Sequence, residues 1–186
     1  MANTENSKQK KPFLTTREIA IYAMLGALMF VTKKLMEALP NIHLLGMFIM
    51  VCTIVFRSRA LIPMYIYILA DGLTLGFSPW WMPYLYIWAI LWGITMLLPK
   101  KMPKKVAVIV YPAVCGIFGI SFGVLYAPAH ALYQGHTFEQ TLIWIAGGLG
   151  FDILHLVGNT AAGILVYPLS ELLKKLVNNK GAPHNE

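Results

Sequence analysis

Long apolar runs separated by short polar clusters dominate this chain. Six runs fall at roughly 18–39, 42–56, 60–77, 82–99, 106–126 and 149–167. A spanning helix needs about 17–25 mostly apolar residues, so the pattern predicts six membrane-crossing helices. The second run is short and is expected to tilt little or to begin earlier, around Pro40. Basic residues punctuate the runs in alternation. Lys8, Lys10, Lys11 and Arg17 precede the first run, and Arg57 and Arg59 follow the second. Lys100, Lys101, Lys104 and Lys105 follow the fourth, and Lys174, Lys175 and Lys180 the sixth. All but two of the 15 basic residues are thereby placed. The exceptions, Lys33 and Lys34, lie near the far end of the first run. Because Lys and Arg are retained on the cytoplasmic side during insertion, this order predicts both termini inside. The expected fold is an all-α integral membrane bundle: a cytoplasmic tail (1–14), one six-helix domain (15–177) and a second tail (178–186).

Composition narrows the picture. With 58% hydrophobic and 12% charged residues, and a mean hydropathy of +0.62, an ordinary soluble domain is excluded. The runs leave no room for a soluble catalytic or nucleotide-binding domain. A net charge of +7 would suit nucleic acid, but it is distributed over cytoplasmic edges, where membrane lipids with anionic headgroups lie. Nucleic acid is therefore not an expected partner. Cys52 and Cys115 both fall inside apolar runs without CxxC spacing and are expected to be packing residues. The basic tail leads into a full-length run, which predicts a permanent first helix rather than a cleaved signal. Residues 1–13 are polar and expected to be disordered.

Thr15-Thr16-Arg17-Glu18 offers an N-cap to the first helix. Ala20, Ala23, Gly26 and Ala27 then recur at helical spacing. Small residues let helices approach closely in lipid, so this face suits either a neighbouring helix of the chain or a partner membrane protein. Lys33 and Glu37 stand at i, i+4 and could pair. The two lysines could snorkel to the interface, or one could face the bundle and meet an anionic ligand group. The third run carries Asp71 and breaks at Gly76-Phe77-Ser78-Pro79. Trp80, Trp81, Tyr84, Tyr86, Trp88 and Trp92 follow. They suit an interfacial aromatic belt or a shaped outer loop lining a pocket. Gly116, Gly119 and Gly123 give the fifth helix a small-residue face, expected to pack within the chain. Residues 129–148, with His130, His136, Glu139 and Trp144, are expected to form an outer connection with a short helix on the bundle mouth.

Asp152, His155 and Asn159 stand at i, i+3 and i+7 and line one face of the sixth helix. A polar face inside a membrane bundle is costly and marks a functional site by default. Asp152 is expected in the first turn, where the helix dipole tolerates a carboxylate. These side chains could hydrogen-bond one another and Asp71, tying helices three and six together. They could instead read a ligand, or serve catalysis, with Asp152 and His155 as an acid/base pair in a small intramembrane enzyme. A metal is a weak reading, since Asp-x-x-His supplies two ligands and no third is evident. His155-x-x-x-Asn159 matches one piece of the intramembrane CAAX-type protease pattern, but the paired glutamates of that chemistry are missing. A self-sufficient transporter is disfavoured because no internal repeat or charged pathway is visible.

Six helices in 20.8 kDa, Ala23-x-x-x-Ala27 on the first, Leu39-Pro40-Asn41, the Gly-Phe-x-x-Trp-Trp stretch at 76–81 and Phe151-Asp-x-x-His-x-x-Gly-Asn159 together resemble the substrate-binding S components of energy-coupling factor (ECF) transporters. The resemblance covers nearly the whole chain. It implies a high-affinity capture subunit for a vitamin or related ring-containing small molecule, with no cofactor and no catalysis of its own. The absence of a Walker motif agrees with this. The implied partners are a transmembrane coupling subunit, docked on Ala20, Ala23 and Ala27, and two ATPase subunits. The implied substrate-binding residues are Trp80, Trp81, Tyr84, Trp88, Asp71, Asp152, His155 and Asn159.

Overall fold

The computed structural model describes residues 13–39 and 41–178. The expected disordered tail, the C-terminal tail and Pro40 lie outside the described residues, apart from their edges. Every regular element among the described residues is helical. α1 (Thr16–Leu35) opens with the anticipated cap. Thr15 Oγ1 accepts from the Glu18 amide, and the Glu18 carboxylate accepts from the Thr15 amide, a reciprocal capping box.

α2 (Leu45–Phe56) and α3 (Leu61–Leu75) are joined by a single 3₁₀ turn over 57–60. Arg57 reverses the chain there at φ 55°, ψ −122°, a rare conformation for a residue with a Cβ. The fourth helix clamps it: the Arg57 guanidinium donates to Met96 O at 2.7 Å, and Trp92 Nε1 donates to Arg57 O at 3.1 Å. That helix is α4 (Tyr84–Leu97). α5 (Lys104–Ile120) continues into α6 (Phe122–Gln134) through a break at Ser121. α7 (Phe138–Gly163) is followed by α8 (Val166–Asn178).

Two sequence expectations are corrected here. Residues 129–148 are not an outer connection. α6 runs to Gln134, Gly135 closes it in the left-handed conformation at φ 68°, and α7 starts at Phe138 under a Thr137–Gln140 capping box. The sixth helix therefore begins eleven residues earlier than 149, and the polar side chains of its first turns ride on a helix. In consequence, Asp152 lies midway along a 26-residue helix rather than in its first turn, beyond reach of the terminal dipole.

Contacts fix the directions of the helices. α1 and α3 run parallel, with Glu18 on Arg59 at one end, Gly26 against Ile66 in the middle and Lys33 on Asp71 at the other. α4 returns antiparallel to α3, with Trp81 just before it at Ile68 and Leu85 at Tyr65. α5 and α7 are antiparallel, since Gly116, Gly119 and Gly123 meet Thr160, His155 and Asp152 in turn. The small-residue face of α5 thus packs within the chain, as expected. Among the described residues the basic clusters other than the Lys33–Lys34 pair gather at one end: Arg17 donates to Leu176 O, and Lys100, Lys101 and Lys174 line one pocket with Tyr111 and Glu171.

Lys104–Gln134 and Phe138–Gly163 are long and apolar enough to cross a membrane, Leu45–Leu75 reaches that length only as α2 and α3 together on either side of the Arg57 reversal, and Tyr84–Leu97 is a shorter apolar helix. α7 is inside-out relative to a soluble helix. Asp152, His155 and Asn159 are buried, whereas Ile143, Phe151, Ile153 and Val157 are exposed. Large contiguous apolar surface of this kind requires an apolar neighbour, and a bilayer supplies one.

Candidate functional site

At the end of the bundle opposite the basic clusters, the C-terminal end of α1, the start of α2, the start of α4, the α5–α6 junction and the middle of α7 converge. Two adjoining hollows lie between them. The deep cavity, about 210 Å³, is lined among others by Lys33, His43, Tyr67, Tyr84, Trp88 and His155. The outer vestibule, about 390 Å³, is lined by Trp80, Tyr84, Phe122, Tyr126, Trp144 and Asp152 among others. Asn41, Tyr84, Phe122 and His155 border both, so the two hollows form one site with an inner and an outer part.

The floor of the deep cavity is a nest of rings. His43 meets Trp88 edge-on at 5.7 Å and His155 at 5.3 Å. Phe122 meets His155 at 4.7 Å, perpendicular. Lys33 Nζ lies over the Tyr84 ring at 5.1 Å. Lys33 is the lysine that turns inward. Its ammonium bonds both carboxylate oxygens of Asp71 at 2.7 Å each, with Asp71 fully buried and the Lys33 side chain 15% exposed. Such a pair in a low-dielectric setting is held by its geometry, and losing one partner leaves an uncompensated charge. The Lys33–Glu37 pairing that the spacing allows does not form. Lys34 takes Glu37 instead, at 2.6 Å, because Lys33 faces α3 while Lys34 points along the helix end.

Four buried polar atoms on this cavity lack a hydrogen-bond partner: His43 Nδ1, Tyr67 Oη, Trp88 Nε1 and His155 Nδ1. Buried polar groups in native folds are overwhelmingly paired, and each orphan costs about 1–3 kcal/mol. All four atoms belong to side chains that line this one hollow.

The vestibule is aromatic. Tyr126 stacks between Trp80 at 6.1 Å and Trp144 at 6.1 Å, and its hydroxyl donates to Trp80 O at 2.7 Å, pinning the loop before α4 onto α6. His130 stacks on Trp144 at 4.3 Å. Asp152 projects into this space from α7. The Gly123 amide donates to its Oδ1 at 2.9 Å, and a Cβ at 123 would stand 2.3 Å from Oδ2. Glycine is what lets α5–α6 and α7 come this close.

Of the residues singled out from sequence, Trp80, Tyr84, Trp88, Asp152 and His155 line the site. Three stand apart from the lining. Trp81 is turned away, its indole donating to Ile68 O at 2.8 Å and its ring edge-on to Phe77. Asp71 sits behind Lys33 as its counter-ion. Asn159 is wedged in the helix seam, its amide facing Gly46 of α2 and Gly119 of α5. A direct tie of Asp152, His155 and Asn159 to Asp71 is not observed, since Asp71 is taken by Lys33 and Asp152 by Gly123. His43, Tyr67, Phe122 and Tyr126 were not singled out from the sequence. His43 follows the Leu39-Pro40-Asn41 turn and stands alone among apolar residues, and that isolation was the signal available. Ala20, Ala23 and Ala27 are exposed along one side of α1, whereas Gly26 on the other side packs into α3. Comparison of the chain with protein-family models, with curated proteins and with solved structures finds no match in any of the three.

Proposed function

We propose that this chain is a membrane-embedded capture subunit, the S component of an ECF-type transporter, which binds a vitamin or related ring-containing micronutrient at the outer end of its bundle. The observation that carries the reading is the pair of hollows bordered by unpartnered buried polar atoms and by stacked aromatic rings. An apolar pocket with a few convergent polar groups is the usual form of a small-molecule site. Its position opposite the basic clusters faces it outward if those clusters are cytoplasmic, with six crossings of a bacterial cell membrane and both termini inside.

In this reading the chain performs no reaction. Energy comes from a transmembrane coupling subunit and two ATPases. The exposed side of α1 bearing Ala20, Ala23 and Ala27 supports docking, since small residues turned away from the chain's own core leave room for a second helix. In this reading Asp152, with one oxygen held by the Gly123 amide, receives a polar edge of the guest, and Trp80 stacks on its ring.

The test is co-expression with the coupling subunit and ATPases of an ECF module, followed by affinity purification on this chain. Wild type recovers the full complex. Ala23→Trp with Ala27→Trp abolishes recovery while the isolated variant stays folded. A wild-type chain that recovers no partner, yet turns over a substrate with dependence on Asp152 and His155, would replace this reading with the acid/base enzyme.

A further inference from the structure

The polar atoms around the deep cavity are biased toward donation. Trp88 Nε1 can only donate, and so can Lys33 Nζ. Two of the three Lys33 protons are taken by Asp71 Oδ1 and Oδ2, which leaves one. Tyr67 Oη and the two imidazole nitrogens can donate or accept. No free carboxylate answers them, because Asp71 is held by Lys33 and Glu37 by Lys34. Asn41 on the same lining can donate or accept, yet Trp88 Nε1 remains without an acceptor.

The charges constrain that acceptor further. Lys33 and Asp71 cancel, and Asp152 stands in the adjoining vestibule with only a backbone amide on it. A guest carboxylate would add a second buried negative charge with no free cation to meet it, which is costly in a low-dielectric site. A neutral carbonyl meets Trp88, Tyr67 and the spare Lys33 proton without that cost. Asp152 in turn suits an N–H edge.

We infer that the captured molecule is an uncharged oxo-heterocycle of one or two rings, entering with a ring carbonyl toward Trp88, Tyr67 and Lys33, its ring in the aromatic vestibule and an N–H edge at Asp152. This deepens the capture reading and rests on it. The size agrees: hollows of about 210 and 390 Å³ hold a small fused ring system rather than a large macrocycle.

Isothermal titration of the detergent-purified full chain with two matched pairs tests it. Hypoxanthine and adenine share a shape but differ in a carbonyl against an amine. Nicotinamide and nicotinate differ in a neutral carbonyl against a carboxylate. Hypoxanthine is expected to bind at least tenfold more tightly than adenine, and nicotinamide more tightly than nicotinate. Tyr67→Phe is expected to weaken hypoxanthine at least fivefold, to leave adenine unchanged, and not to lower the thermal stability of the empty protein. Trp88→Phe is expected to do the same to the two purines. A preference for adenine or nicotinate, or no binding of any of the four up to 10 mM, overturns the inference. A retained natural guest that lacks a carbonyl would overturn the polarity assigned here and leave capture standing.

Discussion

Replacing Asp71 with alanine isolates the interaction that aims Lys33 into the site. In the native fold the ammonium is bound by two 2.7 Å contacts to a fully buried carboxylate. Removing the carboxylate strands a cation whose side chain is only 15% exposed. Breaking a buried pair from one side costs about 3–5 kcal/mol. The expected loss is therefore about 3–5 kcal/mol, read by equilibrium unfolding in mixed micelles. The double variant Lys33→Met, Asp71→Leu removes both charges at similar volume and should return to within about 1 kcal/mol of wild type. A single variant that loses less than about 1 kcal/mol, or a double variant as unstable as the single one, would refute the argument that α1 and α3 are locked by this pair.

Three further expectations follow from the same packing. Gly123→Ala places a methyl 2.3 Å from Asp152 Oδ2, so the carboxylate must swing away; occupancy by a co-purified guest should fall more than tenfold, and unchanged occupancy would remove Asp152 from the site. Trp81→Phe deletes the indole bond to Ile68 O and should cost about 1 kcal/mol of stability with guest binding intact; lost binding at wild-type stability would return Trp81 to the lining. Gly135→Cys between α6 and α7 should react with a membrane-impermeant maleimide on intact cells and Ser58→Cys should not, with the buried native Cys52 and Cys115 silent; the opposite pattern would invert the topology.

Much of the architecture was legible because two periodic signals agreed. Apolar runs anticipated helices, and the basic clusters between them, Lys33 and Lys34 apart, lie at one end of the fold. The Thr15 cap and the inward face of glycines 116, 119 and 123 were equally plain, since each is a local rule. The boundaries of the fifth and sixth helices were misplaced because polarity outweighed capping. Thr137-x-x-Gln140 is a capping box, and Gly135 just before it is a helix stop, but a stretch bearing His136, Glu139 and Gln140 resembles a loop when judged by hydropathy alone. Within the site, the aromatic segment and the 152/155 face were visible as patterns. Which rings turn inward was not. Trp80 and Trp81 are neighbours in sequence, and the indole bond to Ile68 O holds Trp81 on α3 while Trp80 faces the vestibule. The partnering of Lys33 with Asp71 rather than Glu37 likewise depends on how α1 and α3 lie side by side, which no local spacing encodes.

Native mass spectrometry of the full chain, purified in mild detergent from cells grown in rich medium, tests capture most directly. The account predicts a discrete small-molecule adduct on wild type that is retained by Trp81→Phe and lost by Trp88→Phe and Asp152→Ala, with all four proteins folded. Bare wild-type protein that stays bare after incubation with a vitamin mixture, or an adduct indifferent to Trp88 and Asp152, would contradict it.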